Sequence, residues 1–65
     1  MMKMLQIDGM MGGNYLITDG AGATVEIASD TGLRHYLDGL GMAASSIDQA
    51  IRDLKKPPRR ITVMP

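Results

Sequence analysis

Cysteine, tryptophan and phenylalanine are absent from this 65-residue chain, and two tyrosines are its only aromatic residues. Without cysteine the chain has no disulfide and no thiolate metal site. It also has no apolar run near the ~20 residues that a membrane-spanning helix needs. The first five residues lack the long apolar segment of a secretion signal. We therefore expect a cytoplasmic protein that uses no metal, no other cofactor and no membrane.

The short length limits the chain to one small domain, residues 1–65. A domain of this size buries only about 60% of the surface of its unfolded chain, so we expect marginal stability. Small domains without disulfides often gain burial by oligomerising. Seven methionines partly replace the missing aromatic residues, because methionine is flexible and fills irregular gaps in a core.

Charge is balanced overall but unevenly placed along the chain. Residues 1–32 carry one lysine against four acids, a net of −3, and residues 33–65 carry six basic residues against three aspartates, a net of +3. A total of zero argues against a general binder of polyanions. The uneven placement predicts a folded domain with an acidic end and a basic end.

Alternation of apolar and polar residues predicts four strands. In the first, Leu5 and Ile7 are expected to face the core, and in the third Ala23, Val25 and Ile27 are expected to do so. Glycine-rich segments separate the first three strands, and glycine supplies the positive φ that tight turns need. The predicted strands cover residues 2–8, 14–19, 23–28 and 59–64.

Two apolar stripes at helical spacing predict two short helices joined by a tight turn at Gly41. Ser29 and its neighbours offer N-cap oxygens to the first helix. The second is expected to begin at Ser45, with Asp48 completing an approximate capping box, and to end before Pro57. The stripes are Leu33, Tyr36, Leu37 and Leu40 in the first helix and Ile47, Ala50, Ile51 and Leu54 in the second.

The element order β-β-β-α-α-β predicts an α+β domain, a small antiparallel sheet with a helical hairpin packed on one face. The last strand can lie beside the first, giving the order 4-1-2-3, or beside the third. The second face of the sheet would then carry an apolar strip that is unusual for a monomer surface, which predicts a homodimer or a larger partner. The strip would consist of Met2, Met4, Leu16 and Thr18.

No set of residues indicates catalysis. His35 and Asp38 are three positions apart and can meet on one helix face, as a metal site or an acid-base pair requires. They fall on the predicted solvent side of that helix, and no second histidine or cysteine completes a zinc site. The glycine-rich residues 9–13 lack the lysine and the following helix of a phosphate-binding loop. We therefore predict that the chain is not an enzyme.

The candidate binding residues form two short clusters. Four of the seven basic residues lie within six positions, and they suit an acidic protein surface or a phosphate backbone. Two methionines between glycines suit an adaptable protein contact. The alternatives are a basic turn that only aids solubility, and methionines that fold back over the sheet edge. The clusters are Lys55, Lys56, Arg59 and Arg60, and Met10 and Met11.

Gly41 and Met42, followed by Ser46 and Ile47, resemble the turn of a helix-turn-helix. That turn often has a glycine, then a hydrophobic residue, and a branched residue six positions after the glycine. Leu37 stands where the family prefers a small residue. The resemblance implies nucleic-acid binding through the second helix, but other packed helical hairpins share the spacing. The recognition surface would include Ala44, Ser45, Asp48 and Gln49.

These features favour a small non-enzymatic protein-interaction module, an inhibitor or adaptor such as the phage-type inhibitors that block a host protein complex. Its partner would be another protein, or a second copy of the chain in a homodimer. The alternative is a small DNA- or RNA-binding protein that uses the helical hairpin and the basic C-terminal segment.

Overall fold

Four antiparallel strands form one sheet, in the order β3-β2-β1-β4, in the computed structural model, which describes residues 4–65. The structure confirms the predicted α+β class and places the last strand beside the first. Residues 2 and 3 of the predicted first strand lie outside the described residues. The elements are β1 (Leu5–Gly9), β2 (Tyr15–Thr18), β3 (Thr24–Ile27), α1 (Asp30–Gly39), α2 (Ala44–Leu54) and β4 (Arg60–Val63).

Strand β1 lies at the centre of the sheet because its apolar alternation matches both neighbours. Ile7 is opposite Ile17 of β2 and Ile61 of β4. Leu5 and Ile7 are buried, which confirms the prediction that they face the core, and Ile17 of β2 is buried beside them. The register therefore puts the apolar residues of three strands on one face of the sheet.

The helices cover this apolar face mainly with the residues of the two predicted stripes. Leu33 and Leu37 of α1 are fully buried, and Tyr36 is partly buried against the same core. Complete burial of an aliphatic side chain contributes roughly 1.5–3 kcal/mol, so packing rather than helix propensity stabilises these short helices. The buried residues of α2 are Ile47, Ala50, Ile51 and Leu54, as predicted.

A Schellman motif closes α1, which confirms the prediction for Gly41. Gly41 has a φ of 93°, and its N–H donates to the carbonyl oxygen of Asp38 at 3.0 Å. The N–H of Met42 donates to the carbonyl oxygen of Leu37 at 3.2 Å. Met42 also packs against the core, so the turn is fixed by both hydrogen bonds and apolar contact.

The two helices begin differently. Ser29 caps α1 as predicted, since its Oγ accepts a hydrogen bond from the first turn. The predicted start of α2 is wrong. The helix begins at Ala44, and its N-cap Ala43 makes no side-chain hydrogen bond. The Asp48 carboxylate is instead bound by Arg34 of α1, so the capping box does not form. Neither helix in the part of the chain that the structure describes has the length and apolar character to cross a bilayer.

Three residues that the patterns predicted to be buried are exposed. Val25 of β3 is 41% exposed, Leu40 at the end of α1 is 43% exposed, and Ala23 is also exposed. The reason is the placement of the helix layer, in which α2 packs against β4 and α1 packs against α2. Strand β3 therefore lies at the less covered edge. Periodicity identifies the face that meets the helices, but it does not determine how far the helix layer extends.

The other face of the sheet is open and largely polar. Of the predicted apolar strip, Met4 is exposed, Leu16 and Thr18 are partly buried, and Met2 lies outside the described residues. Polar neighbours flank these residues on the adjacent strands, so the described residues of this face do not form a continuous apolar strip. One row across the sheet contains Thr24, Thr18, Gln6 and Thr62, and the next contains Glu26, Leu16, Asp8 and Arg60.

Candidate functional site

The two predicted binding clusters meet at one end of the sheet. There the β1–β2 loop lies beside the turn from α2 to β4, and the N–H of Gly9 donates to the carbonyl oxygen of Arg59 at 2.7 Å. The N–H of Met10 donates to the carbonyl oxygen of Asn14 at 2.8 Å and closes the β1–β2 loop. We call this region, residues 9–15 with residues 54–60, the loop end.

Glycine at position 9 permits the close contact between the two segments. A Cβ at Gly9 would lie 3.3 Å from the carbonyl oxygen of Leu54 and 3.4 Å from the Cβ of Arg59. Both distances are too short for a relaxed contact with a backbone and a Cβ atom, which cannot move independently of the chain. Backbone atoms therefore hold the two segments of the loop end together, and the distance between the segments does not depend on flexible side chains.

Arg59 is held in the left-handed region, with a φ of 60°. This conformation costs a non-glycine residue roughly 1–2 kcal/mol. Hydrogen bonds on both sides hold it, because the N–H of Arg59 donates to the carbonyl oxygen of Lys56 at 2.8 Å and its own carbonyl accepts from Gly9. The Pro57–Pro58 peptide bond within this turn is cis. A non-glycine residue held at a positive φ, as Arg59 is, often occurs at a functional site.

The methionines of the β1–β2 loop project into solvent. Met11 is 99% exposed and Met10 is 43% exposed, so Met11 does not fold back over the sheet edge and Met10 does so only in part. An open cleft of about 210 Å³ separates them from the turn, and its lining includes Tyr15, Lys55 and Arg59. Met10 and Arg59 also border a second hollow on the open face of the sheet. These two side chains thus stand between the two hollows.

The four basic residues of the cluster differ in their pairing. Lys55 forms an ion pair with Asp30 at 2.9 Å, and Arg60 forms one with Asp8 at 2.5 Å. Exposed pairs of this kind contribute only about 0–1 kcal/mol to stability, but they offset charge locally. Within residues 4–65, neither Lys56 nor Arg59 makes an ion pair. The positive charge open to a partner at the loop end is therefore centred on these two residues.

A side-chain network beside the cleft joins three elements. The Nζ of Lys55 donates to both carboxylate oxygens of Asp30, at 3.0 and 2.9 Å, and to the Tyr15 hydroxyl at 3.2 Å. The Tyr15 hydroxyl donates to Asp30. The Lys55 Nζ also lies 5.8 Å from the centre of the Tyr15 ring. The network connects β2 to the start of α1 and the end of α2, next to the cleft.

Burial and hydrogen bonds shift the pKa values of the three groups in this network. Burial, followed by the hydrogen bond to Asp30, raises the pKa of Tyr15. The hydrogen bond from Tyr15, followed by that from Lys55, lowers the pKa of Asp30. The hydrogen bond to Asp30 raises the pKa of Lys55. Tyr15 therefore stays protonated and Asp30 ionised near neutral pH.

Sequence reasoning missed the part that Tyr15 and Asp30 play at this site. The two residues are 15 positions apart, and Lys55 lies 40 positions from Tyr15. No local spacing connects them. The only signal was Asp30 in the first turn of a helix, where an acid is favoured by the helix dipole.

The other candidate residues do not converge on a site. His35 and Asp38 are both exposed on α1, with no hydrogen bond between them. Among residues 4–65 no three histidine, aspartate or glutamate side chains are grouped as a metal site requires. Asp48, on the surface that the helix-turn-helix resemblance assigns to recognition, is bound by Arg34.

No family model, curated protein or solved structure matches this chain.

Proposed function

We propose that this chain is a non-enzymatic protein-interaction module, an inhibitor or adaptor, that binds another protein through the loop end. One observation carries the proposal: the fully exposed Met11 lies on a loop whose base is hydrogen-bonded to a turn with two unpaired cations. The contact residues are Met10 and Met11, with Lys56 and Arg59 beside them. Lys55 and Arg60 flank this surface with their charges offset by Asp30 and Asp8.

The two kinds of side chain contribute differently to binding. Methionine adapts its shape to a partner, and burying one contributes roughly 1.5–3 kcal/mol. Lys56 and Arg59 attract an acidic surface and speed association in a salt-dependent way. The partner that fits is therefore a protein with an apolar hollow beside acidic residues.

An enzymatic function has less support. The cleft at the loop end has about 210 Å³, which is below the roughly 300–1,000 Å³ of ordinary small-molecule sites, and the second hollow, of about 650 Å³, lies open on the face of the sheet. Among the described residues, its lining includes no serine, histidine or cysteine that could act as a nucleophile or base. Of the polar side chains that line the cleft, Tyr15 and Lys55 are held in the structural network and Asn14 donates to Glu26, whereas Arg59 makes no ion pair among the described residues.

Nucleic-acid binding is the alternative, and the pairing of charges weighs against it. Binding to a phosphate backbone gains affinity from each unpaired cation that it neutralises. Two of the four clustered basic residues are bound to carboxylates of the same chain. The helix that would enter a groove exposes Gln49 and carries Asp48, whose carboxylate would repel phosphate.

Capture from a lysate of the source cells tests the proposal with matched variants. Immobilised wild-type chain is compared with a variant carrying Met10→Ser and Met11→Ser, and with Met64→Ser as the control. Met64 is exposed but lies at the end of the sheet opposite to the loop end. We expect a protein that wild type and Met64→Ser capture in stoichiometric amount and the loop variant loses. Equal capture by all three would overturn the assignment of the surface.

Direct titration with mixed duplex DNA, single-stranded DNA and RNA tests the alternative that the chain binds nucleic acid. We expect no binding at physiological salt. Tight binding that weakens steeply with salt, without any captured protein, would favour the nucleic-acid function instead.

A further inference from the structure

Two exposed apolar side chains and two that are partly buried against the core lie on the side of the molecule that the helix layer covers least. Arg34 of α1 donates a hydrogen bond to Asp48 of α2, so the side of α1 that carries Arg34 faces α2. A helix turns by about 100° per residue, so Tyr36 points away from α2 and Leu40 lies next to it. A Cβ at Gly32 would lie 3.0 Å from the Ile27 side chain, which places the first turn of α1 beside the end of β3. This β3–α1 side consists of Val25, Ile27, Tyr36 and Leu40.

The edge of β3 offers free backbone groups on the same side. The N–H of Asp19 donates to the carbonyl of Ala23 at 3.0 Å, and Val25 is opposite Ile17 of β2. Because the direction of backbone hydrogen bonds alternates along an antiparallel strand, the amide and carbonyl groups of Thr24 and Glu26 point outward. Within residues 4–65 no strand pairs with this edge.

The opposite edge of the sheet is protected. Strand β4 has Arg60 at its start and lies between Pro58 and Pro65, and α2 packs against it. Charged residues and prolines discourage another strand from pairing with an edge. Strand β3 has no proline, and its one charged residue is Glu26.

We propose that a second copy of this chain pairs with β3, edge to edge and antiparallel, to form a two-fold symmetric dimer with a continuous eight-stranded sheet. The dimer covers Val25 and the exposed side of α1. These are the positions at which the sequence patterns predicted burial and the isolated chain shows exposure. The inference does not depend on the proposed function, since the loop end takes no part in it.

Charge and the length of β3 select the register of the pairing. Residues directly opposite each other in an antiparallel pair lie on the same face, so the two-fold axis must pass beside one residue of β3. An axis at Glu26 would place two like charges opposite each other, which is destabilising, and an axis at Thr24 or Ile27 would leave only one residue of β3 opposite the partner's β3. An axis at Val25 places Val25 against the partner's Val25 and Thr24 against the partner's Glu26. The outward groups of Thr24 and Glu26 then form the new hydrogen bonds.

Sedimentation equilibrium of the full chain over a range of concentrations tests the dimer. We expect a monomer–dimer equilibrium in wild type. Val25→Lys and Leu40→Lys should each weaken dimerisation at least about tenfold, because each buries an unpaired charge. Met64→Lys, at an exposed site on the opposite side of the sheet, should leave it unchanged. A monomer at all concentrations, or a dimer that survives both lysine variants, would overturn the proposal.

Cross-linking tests the register, because the chain has no cysteine of its own. The paired Val25 residues would have Cα atoms about 4.5 Å apart, within the range for a disulfide. Val25→Cys should therefore give a disulfide-linked dimer on mild oxidation, and Glu26→Cys should give much less. A thermal melt confirms that each variant is folded. Failure of Val25→Cys to cross-link, or stronger cross-linking of Glu26→Cys, would contradict the register and with it the edge-to-edge dimer.

Discussion

The two ends of the sheet both expose methionine, but in opposite electrostatic settings. At the loop end, Met11 stands beside a cleft that Lys55 and Arg59 help to line. At the other end, Met4 and Met64 are 57% and 59% exposed, and Met64 borders a groove between α2 and β4 in which Asp53 is the one charged lining residue among residues 4–65. An exposed methionine therefore does not by itself identify a binding surface.

Backbone construction also separates the two ends. The turn opposite to the loop end, residues 19–23, is held by its own residues, because the Asp19 carboxylate accepts hydrogen bonds from the N–H groups of Ala21 and Ala23, both at 2.9 Å. At the loop end the Gly9–Arg59 hydrogen bond joins segments that are far apart in the chain. A turn held by its own residues does not depend on the rest of the chain, whereas the loop end forms only when distant segments have folded together.

Deletion of residues 57–65 should have the largest effect on this comparison. It removes β4, which pairs with the central strand, together with the turn that supports the loop end. We expect the domain to unfold, as a chain with only a few kcal/mol of stability cannot lose one strand of four. Circular dichroism and thermal melting measure the result, with deletion of Pro65 alone as the control. A truncated chain that melts like wild type would show that β4 is dispensable.

Substituting alanine for one glycine at each end should have the next largest effect, and we expect the two ends to respond differently. Gly9→Ala forces a Cβ against the backbone of Leu54 and the side chain of Arg59, and we expect a loss of about 1–3 kcal/mol. Gly20, in the opposite turn, has no positive φ, and no atom of residues 4–65 lies within 4 Å of a Cβ built there. Gly20→Ala should be neutral or stabilising by up to about 1 kcal/mol. Urea unfolding measures both values, and equal effects would remove the distinction between the two ends.

The sequence predicts a feature of this fold when the residues that form it are close together in the chain. Alternation along β1 and the stripes of α1 and α2 identified nearly the whole core, since each depends on residues two to four positions apart. Val25 and Leu40 were predicted wrongly because their exposure depends on where the helix layer lies. At the site, the two clusters were found by composition alone. Their convergence and the pairing of Arg60 with Asp8, 52 positions away, required the fold.

Arg59→Gly should improve stability and weaken binding. Glycine adopts a φ of 60° without the penalty of a Cβ, so we expect a gain of about 1 kcal/mol. The variant also removes one of the two unpaired cations, so association with the captured partner should slow. Urea unfolding and binding kinetics measure the two effects. Loss of stability would show that the Arg59 side chain supports the turn, and unchanged association would show that its charge takes no part in binding.

Lowering the pH should reduce the stability that the Asp8 and Asp30 ion pairs contribute beside the loop end. We expect this effect to be smaller than those of the substitutions above. The hydrogen bond from Arg60 is the largest cause that lowers the pKa of Asp8, and the hydrogen bond from Tyr15 has that place for Asp30. A lowered pKa in the folded state contributes stability above the unfolded pKa of about 3.9. That contribution is lost as the pH falls from there through the lower folded values.

Melting curves between neutral pH and the acid limb test this expectation. Asp8→Asn and Asp30→Asn should each be less stable than wild type at neutral pH and should flatten the decline in acid. Asp38→Asn is the control, because Asp38 is exposed and makes no ion pair among the described residues. If Asp8→Asn and Asp30→Asn both lose stability in acid as wild type does, these ion pairs do not contribute to stability.

The association rate with the captured protein, measured over a range of salt concentrations, tests the loop-end assignment most directly. Lys56→Gln with Arg59→Gln should slow association and flatten its salt dependence nearly as much as replacing all four basic residues of the cluster. Arg34→Gln with Arg52→Gln removes the same charge elsewhere and should change the rate little. If the two double variants behave alike, or if the first associates at the wild-type rate at every salt concentration, the loop end is not the binding surface.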